Sequence, residues 1–130
     1  MLRWIVAAGL LVHGLIHLMG VVVSWQLGEV EGLTYSTRLI GGLDVGATGL
    51  YVVGAGWLLG AVGFAVSAFG LVRRASWVAA ILPVVTLLSL VLSILESPEA
   101  IAGVVVNLVL LAGLVLVRLG IRPGTALIRD

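Results

Sequence analysis

Four long apolar runs dominate the sequence, at about residues 4–25, 50–72, 77–95 and 101–121. Each has roughly the 20 residues that a helix needs to cross a hydrocarbon core of about 30 Å. The runs lack the period-two alternation of strands, and an open sheet would leave backbone groups unpaired in lipid. The sequence therefore predicts an all-α integral membrane protein: one domain, an antiparallel four-transmembrane-helix bundle, with a long outer loop over 26–49.

The composition agrees with a chain embedded in lipid. Of the 130 residues, 62% are apolar and 10% are charged, whereas soluble domains have about 50% and 25%. The sequence contains no cysteine, which excludes thiolate metal sites and CxxC redox pairs. It also lacks the motifs GxxxxGK[ST], HExxH and GxSxG, so nucleotide hydrolysis and familiar protease chemistries have no support. Nucleic acid is not an expected partner.

Six of the seven arginines fall on one side of the predicted bundle, and Arg38 falls alone on the other. Arg3 precedes the first helix, and Arg73 and Arg74 lie between the second and third. The remaining three follow the fourth helix: Arg118, Arg122 and Arg129. The positive-inside rule therefore predicts a plasma or inner membrane protein with both termini in the cytoplasm.

Polar residues recur at helical spacing within the apolar runs. Such residues are typical of packed helix interfaces, where they find hydrogen-bond partners, and not of lipid-facing surfaces. Counting about 1.5 Å per residue from the outer ends places His17, Ser89 and Asn107 at a similar depth. We therefore expect a polar pocket in the outer half of the bundle. The candidate ligand-binding residues are His13, His17, Tyr51, Thr86, Ser89, Glu96 and Asn107.

Glycines form a second stripe along the second run. Gly56 and Gly60 make a GxxxG pair, and Gly63 continues the same stripe. Small residues let helix backbones approach closely, so we predict that these three pack against a neighbouring helix. The neighbour belongs either to the same chain or, through Gly56 and Gly60, to a second copy in a homodimer.

The two histidines allow several interpretations. His13 and His17 are four residues apart, on one helix face, and we expect both rings to be neutral and hydrogen-bonded because burial disfavours the imidazolium ion. One interpretation is that the two imidazole rings form hydrogen bonds to a quinone, an isoprenoid or a lipid headgroup. A metal would need a third ligand from Glu96, Asp44 or Asn107. Haem is disfavoured because two histidines on one helical turn cannot ligate opposite faces of one iron. The structural alternative is that the two histidines only join the first helix to its neighbours, through hydrogen bonds to Ser, Thr or Asn.

The leading functional hypothesis is non-enzymatic. It is the binding of a lipid, isoprenoid, quinone or other small hydrophobic ligand, or an accessory role beside a larger membrane-protein partner. The first alternative is a small membrane oxidoreductase or lipid-modifying enzyme in which His17, with His13, transfers a proton and Asn107 orients a carbonyl or phosphate. The second alternative is a purely structural or oligomeric bundle without a ligand. Membrane lipids are expected partners in every case.

Three short segments resemble a group of small uncharacterised bacterial four-helix membrane proteins. The segments are HGLIHLMG at 13–20, GWLL at 56–59 and EAIAG at 99–103 followed by Asn107. In that group, an HGxIH-type start, a WLL segment and an acidic-Ala-x-x-Gly-x-x-x-Asn element recur in this order. The turn before the third helix is rich in tryptophan in that group, whereas this chain has the single Trp77 there, and it also departs in having Glu99 at the acidic position. The resemblance implies a four-helix membrane bundle and no particular activity; similarity to DoxX-like proteins is only architectural.

Overall fold

The computed structural model describes residues 1–120, and this part of the chain is all-helical. Its long helices are α1 (Leu2–Ser24), α2 (Gly46–Val72), α3 (Val78–Leu95) and α4 (Ile101–Arg118), and a short 3-10 turn covers Ile40–Gly42. Each of the four is long and apolar enough to cross a membrane. The predicted fold class is therefore confirmed over the described residues: an all-α, multi-pass membrane protein.

The largest difference from the predicted boundaries is at the start of α2. This helix begins at Gly46, four residues before the predicted start, and so takes in part of the predicted outer loop. The carboxylate of Asp44 accepts a hydrogen bond from the Gly46 N–H at 3.0 Å, which satisfies one of the free donors at the helix start.

The other helix ends differ less. α1 begins at Leu2, two residues before the predicted start, and ends one residue early at Ser24. α3 begins one residue later than expected, at Val78. α4 ends at Arg118, short of the predicted end at residue 121. That residue lies outside the described residues, as do Arg122 and Arg129.

The helices pack in chain order as antiparallel neighbours, α1 against α2, α2 against α3 and α3 against α4. The predicted packing glycines lie at these contacts. A β-carbon at Gly60 would lie 2.7 Å from Cδ2 of His17 on α1, and one at Gly56 would lie 3.2 Å from the Leu92 side chain on α3. Both glycines of the GxxxG pair thus face other helices of the same chain, and a homodimer through them stays a prediction.

Gly63 makes a similar contact one turn further along α2. A β-carbon there would lie 2.5 Å from the Val85 side chain on α3. The α2 glycines therefore let two different helices approach α2, because a larger side chain at any of the three would push a neighbour away.

The bundle has two chemically distinct ends. At the first, here called the arginine end, lie Arg3, Arg73, Arg74 and Arg118, and Arg118 donates a hydrogen bond of 2.9 Å to the Ala79 carbonyl at the start of α3. At the second, here called the loop end, lie the segment 25–45 and the turn 96–100. Most acidic residues belong to the loop end.

Each end has its own apolar core. The arginine-end core contains seven buried residues: Ala7, Leu10, Phe64, Ala68, Val78, Leu82 and Val85. The loop-end core contains Val21, Leu39, Leu50, Val53, Trp57 and Leu92. Between the two cores, α1, α3 and α4 contribute buried polar side chains, and these form the candidate site.

Candidate functional site

Four buried side chains from three helices form a continuous hydrogen-bonded cluster, here called the histidine layer: His13 and His17 on α1, Ser89 on α3 and Asn107 on α4. His13 Nε2 lies 3.2 Å from Asn107 Oδ1, and Asn107 Nδ2 donates to Ser89 Oγ at 2.7 Å. His17 Nε2 lies 2.7 Å from the same Ser89 oxygen. The structure thus brings together four of the residues that the sequence singled out.

The partners fix the proton on each ring. His17 Nδ1 lies 2.8 Å from the His13 carbonyl, which can only accept, so Nδ1 carries the proton of a neutral ring. Nε2 of His17 is then an acceptor and receives the hydroxyl proton of Ser89. Asn107 Oδ1 likewise only accepts, so His13 carries its proton on Nε2. The two histidines therefore adopt opposite tautomers, and every hydrogen bond between these four side chains has one donor and one acceptor.

Aromatic rings and a glycine hold the histidines in place. The His13 ring meets the Phe64 ring edge-to-face with centroids 4.7 Å apart, and the His17 ring meets Trp57 in the same way at 5.0 Å. Gly60 leaves room for His17, since a β-carbon at this glycine would overlap the imidazole. The spacing of four residues on α1 and the missing side chain on α2 together explain why both rings turn inward.

Thr86 lies beside the histidine layer but is not part of it. Its side chain is fully buried, and its Oγ1 donates a hydrogen bond of 2.7 Å to the Leu82 carbonyl of its own helix. The hydroxyl of a buried threonine is readily satisfied in this way by the preceding turn. Thr86 therefore belongs to the packing between helices and does not reach the histidines.

Tyr51 does not lie in the pocket that the sequence predicts it to line. Its side chain is 60% exposed, and only its backbone carbonyl is engaged, as acceptor of a 3.1 Å hydrogen bond from Trp25 Nε1. Tyr51 therefore lies on the outward face of α2. Its ring therefore packs near Trp25 at the loop end and does not line the predicted pocket.

A cleft of about 250 Å³ runs from the loop end to the histidine layer, between α1 and α4. Ile16 and Met19 of α1 and Ala102 of α4 form apolar walls, and all three are also exposed on the outer surface of the bundle. The cleft thus meets the surface that faces lipid. Its polar lining comes from His13, His17, Trp57, Ser93, Glu31, Glu96 and Glu99.

Three buried side-chain polar atoms have no hydrogen-bond partner within residues 1–120, and two of them belong to side chains that line this cleft. These two are Nε1 of Trp57 and Oγ of Ser93, on side chains that are 6% and 1% exposed. An unpaired polar group in a low-dielectric interior is costly, and such groups are usually satisfied by water or ligand. The sequence does not mark Trp57 as a site residue because its WLL context is apolar, and it does not distinguish Ser93 from the other serine at helical spacing on α3, Ser89.

Glu96 lies at the mouth of the cleft, at the C-terminal cap of α3. Burial raises the pKa of its carboxyl above the ordinary value, and the neighbouring charge of Glu99 adds to the rise. The indole N–H of Trp57 offsets part of it, approaching the carboxyl without completing a hydrogen bond. Trp57, Ser93 and Glu96 are called the cleft layer below.

A second cavity of about 400 Å³ adjoins the cleft at the loop end and shares Gly20, Leu33, Glu96 and Glu99 with it. Arg38 lines this outer cavity. Its backbone forms an isolated bridge with that of Asp44, and hydrogen bonds, the first from the Gly46 N–H, lower the pKa of the Asp44 carboxyl. The outer cavity is thus the polar entrance to a more apolar cleft.

The described residues offer no obvious metal centre. Among residues 1–120, no group of three or more His, Cys, Asp or Glu side chains is placed to hold a metal ion. Both ring nitrogens of His17 are already engaged by Ser89 and by the His13 carbonyl. Haem and quinone stay predictions from the sequence.

Comparisons with known proteins give no relative. No protein-family model matches the chain. No curated protein matches its sequence, and no solved structure matches its fold. The resemblance to small bacterial four-helix proteins therefore stays a prediction, and the function has to be argued from the site itself.

Proposed function

We propose that the protein binds one amphiphilic molecule of the membrane, such as a lipid, an isoprenoid or a quinone, in the cleft between α1 and α4. The observation that carries this proposal is the pair of buried, unpartnered polar atoms, Trp57 Nε1 and Ser93 Oγ, lining a cleft of about 250 Å³. A purely structural bundle is expected to fill such a space with side chains, because protein interiors are close-packed.

The size and lining of the cleft indicate how such a molecule binds. Sites for drug-sized ligands measure about 300–1,000 Å³, so this cleft accommodates one end of a larger molecule. The polar end lies against the cleft layer, and the remaining chain follows Ile16 and Met19 into the surrounding lipid. Entry is from the side, between α1 and α4, which are not among the helix pairs that make extensive contact.

The histidine layer supports the cleft from below. Because its four side chains satisfy one another, it ties α1, α3 and α4 together and forms a rigid floor for the ligand. The engagement of both His17 nitrogens favours this positioning role over proton transfer in an oxidoreductase or a lipid-modifying enzyme.

The orientation of the chain decides which leaflet supplies the ligand. The arginine end holds four of the five arginines within residues 1–120, and the loop end holds Arg38 with all of the acidic residues there. The positive-inside rule then favours cytoplasmic termini in a plasma or inner membrane. The cleft accordingly opens to the outer leaflet.

Native mass spectrometry of the full chain, purified in mild detergent, tests the proposal. We expect one amphiphile bound stoichiometrically to the wild type. The variant Ala102→Trp fills the cleft with an indole and should lose this adduct. The matched control Val109→Trp introduces the same side chain two turns along the same stripe of α4, at a residue that is 66% exposed, and should keep it.

Two results would contradict the proposal. The first is a wild-type protein that carries only a broad distribution of bulk lipid. The second is equal loss of the adduct in Ala102→Trp and Val109→Trp, which would assign the adduct to the lipid shell around α4 and not to the cleft.

A further inference from the structure

The charged groups that line the cleft are all acidic. Glu31, Glu96 and Glu99 line it, and no arginine does. The sequence has no lysine, and the histidines of the floor are neutral in the hydrogen-bond pattern described above. Even with the outer cavity included, three carboxyl groups stand against the single guanidinium of Arg38. Such an acidic lining favours the binding of a cationic group.

The unpartnered groups of the cleft layer suit the same kind of ligand. Ser93 Oγ has free lone pairs that can accept a hydrogen bond from an ammonium N–H. The Trp57 ring lines the same space, and an indole face attracts cations. A cation beside Glu96 also favours the ionised carboxylate, which then accepts the hydrogen bond that the Trp57 N–H lacks.

We infer that the cleft binds the ammonium end of an amphiphilic amine, against Glu96, Glu99 and Ser93, with the alkyl chain along Ile16 and Met19. This inference rests on the proposed function and narrows its ligand class. A free long-chain amine and the ethanolamine headgroup of a phospholipid share this chemistry.

Three probes with the same alkyl chain test the head group: dodecylammonium, dodecanol and dodecanoate. Binding to the delipidated full chain in a neutral detergent is measured by native mass spectrometry and by tryptophan fluorescence. A charge-assisted hydrogen bond should make dodecylammonium bind about tenfold more tightly than dodecanol, with dodecanoate weakest. Glu96→Gln should remove the preference for dodecylammonium and leave dodecanol binding unchanged. Glu29→Gln removes an acidic side chain of the same loop end that does not line the cleft, and should keep the preference.

A competition experiment identifies the source of the amine. If phosphatidylethanolamine displaces dodecylammonium and its N-acetylated form does not, the ligand is a lipid headgroup. If neither lipid displaces it, the ligand is a free amine. Each result supports the inference.

Different binding results would overturn the ammonium assignment and the proposed function. Equal affinity for dodecylammonium and dodecanol in the wild type would overturn the ammonium assignment and leave the cleft as a ligand site. An unchanged preference for dodecylammonium in both Glu96→Gln and Glu99→Gln would also overturn the assignment. Failure of all three probes and of extracted membrane lipid to bind would overturn the proposed function itself.

Discussion

The histidine layer and the cleft layer lie next to each other in the same bundle and differ in one respect. In the histidine layer, each hydrogen bond between His13, His17, Ser89 and Asn107 pairs a donor with an acceptor. In the cleft layer, the indole N–H of Trp57 and the hydroxyl of Ser93 are buried without partners in the described part of the chain. In lipid, polar groups that hydrogen-bond to each other join helices, whereas a buried polar group without a hydrogen bond is energetically costly.

Two serines on α3 show the difference between the layers most directly, since Ser89 and Ser93 are one turn apart on the same face. Both are almost fully buried, and both are serines. Ser89 contacts His17 and Asn107, whereas Ser93 faces the cleft. Residue type and burial therefore do not distinguish a structural serine from a ligand-binding one, and only the partners do.

The largest expected effect is on the histidine layer. Asn107→Leu removes the amide that links His13 to Ser89 and leaves both without that partner. The free energy of unfolding should fall by about 2 kcal/mol, measured by denaturant titration in bicelles. Thr86→Val is the matched control, because the Thr86 hydroxyl bonds only to its own helix, and it should cost less than about 0.5 kcal/mol. Equal losses would show that the layer gives no special stability.

The two serines provide a smaller and more direct test. Ser89→Ala should lower the free energy of unfolding by about 1 kcal/mol, since it removes one donor and one acceptor from the network. Ser93→Ala should leave stability unchanged or raise it slightly, because it deletes a buried hydroxyl without a partner. It should instead weaken the binding of dodecylammonium. Stability losses of the same size in both variants would erase the distinction between the layers.

The smallest effect is the pH dependence of the cleft layer. Because the pKa of Glu96 is raised, the folded chain keeps this proton at pH values where the unfolded chain has lost it. The contribution of this proton to stability is complete below the ordinary pKa of 4.5 and is lost as the pH rises from there through the raised pKa of the folded chain. Ammonium binding requires the carboxylate, so the affinity for dodecylammonium should rise over the same range.

Titrations of stability and of probe binding against pH check this expectation. Glu96→Gln should remove the part of both pH dependences that belongs to this carboxyl. A wild-type affinity that falls as the pH rises would contradict the assignment of Glu96 as the partner of the cation.

Much of the architecture was predictable from hydrophobicity alone. Four apolar runs of spanning length predict four helices because lipid forces every backbone group into a hydrogen bond. The spacing of His13 and His17 predicts a common face, since four residues are close to one helical turn. α2 begins four residues before its apolar run, because hydrophobicity does not show that Asp44 accepts a hydrogen bond from the Gly46 N–H.

The assignment of roles was less predictable. The sequence makes Tyr51 a candidate for the pocket because it lies just above the polar layer, but depth does not determine which side of a helix a residue faces. Trp57 was overlooked because an indole in an apolar run resembles core packing. Its unpaired N–H appears only when the neighbouring helices are in place.

The sequence by itself determined the class of the protein and which polar residues of α1, α3 and α4 turn inward, because composition and helical period act locally along the chain. The tertiary structure decided which polar residues satisfy each other and which are left facing a cleft. This depends on distances of about 3 Å between atoms far apart in the chain. The packing of α1, α3 and α4 determines both the hydrogen bonds among His17, Ser89 and Asn107 and the absence of a partner for the Ser93 hydroxyl in the described residues.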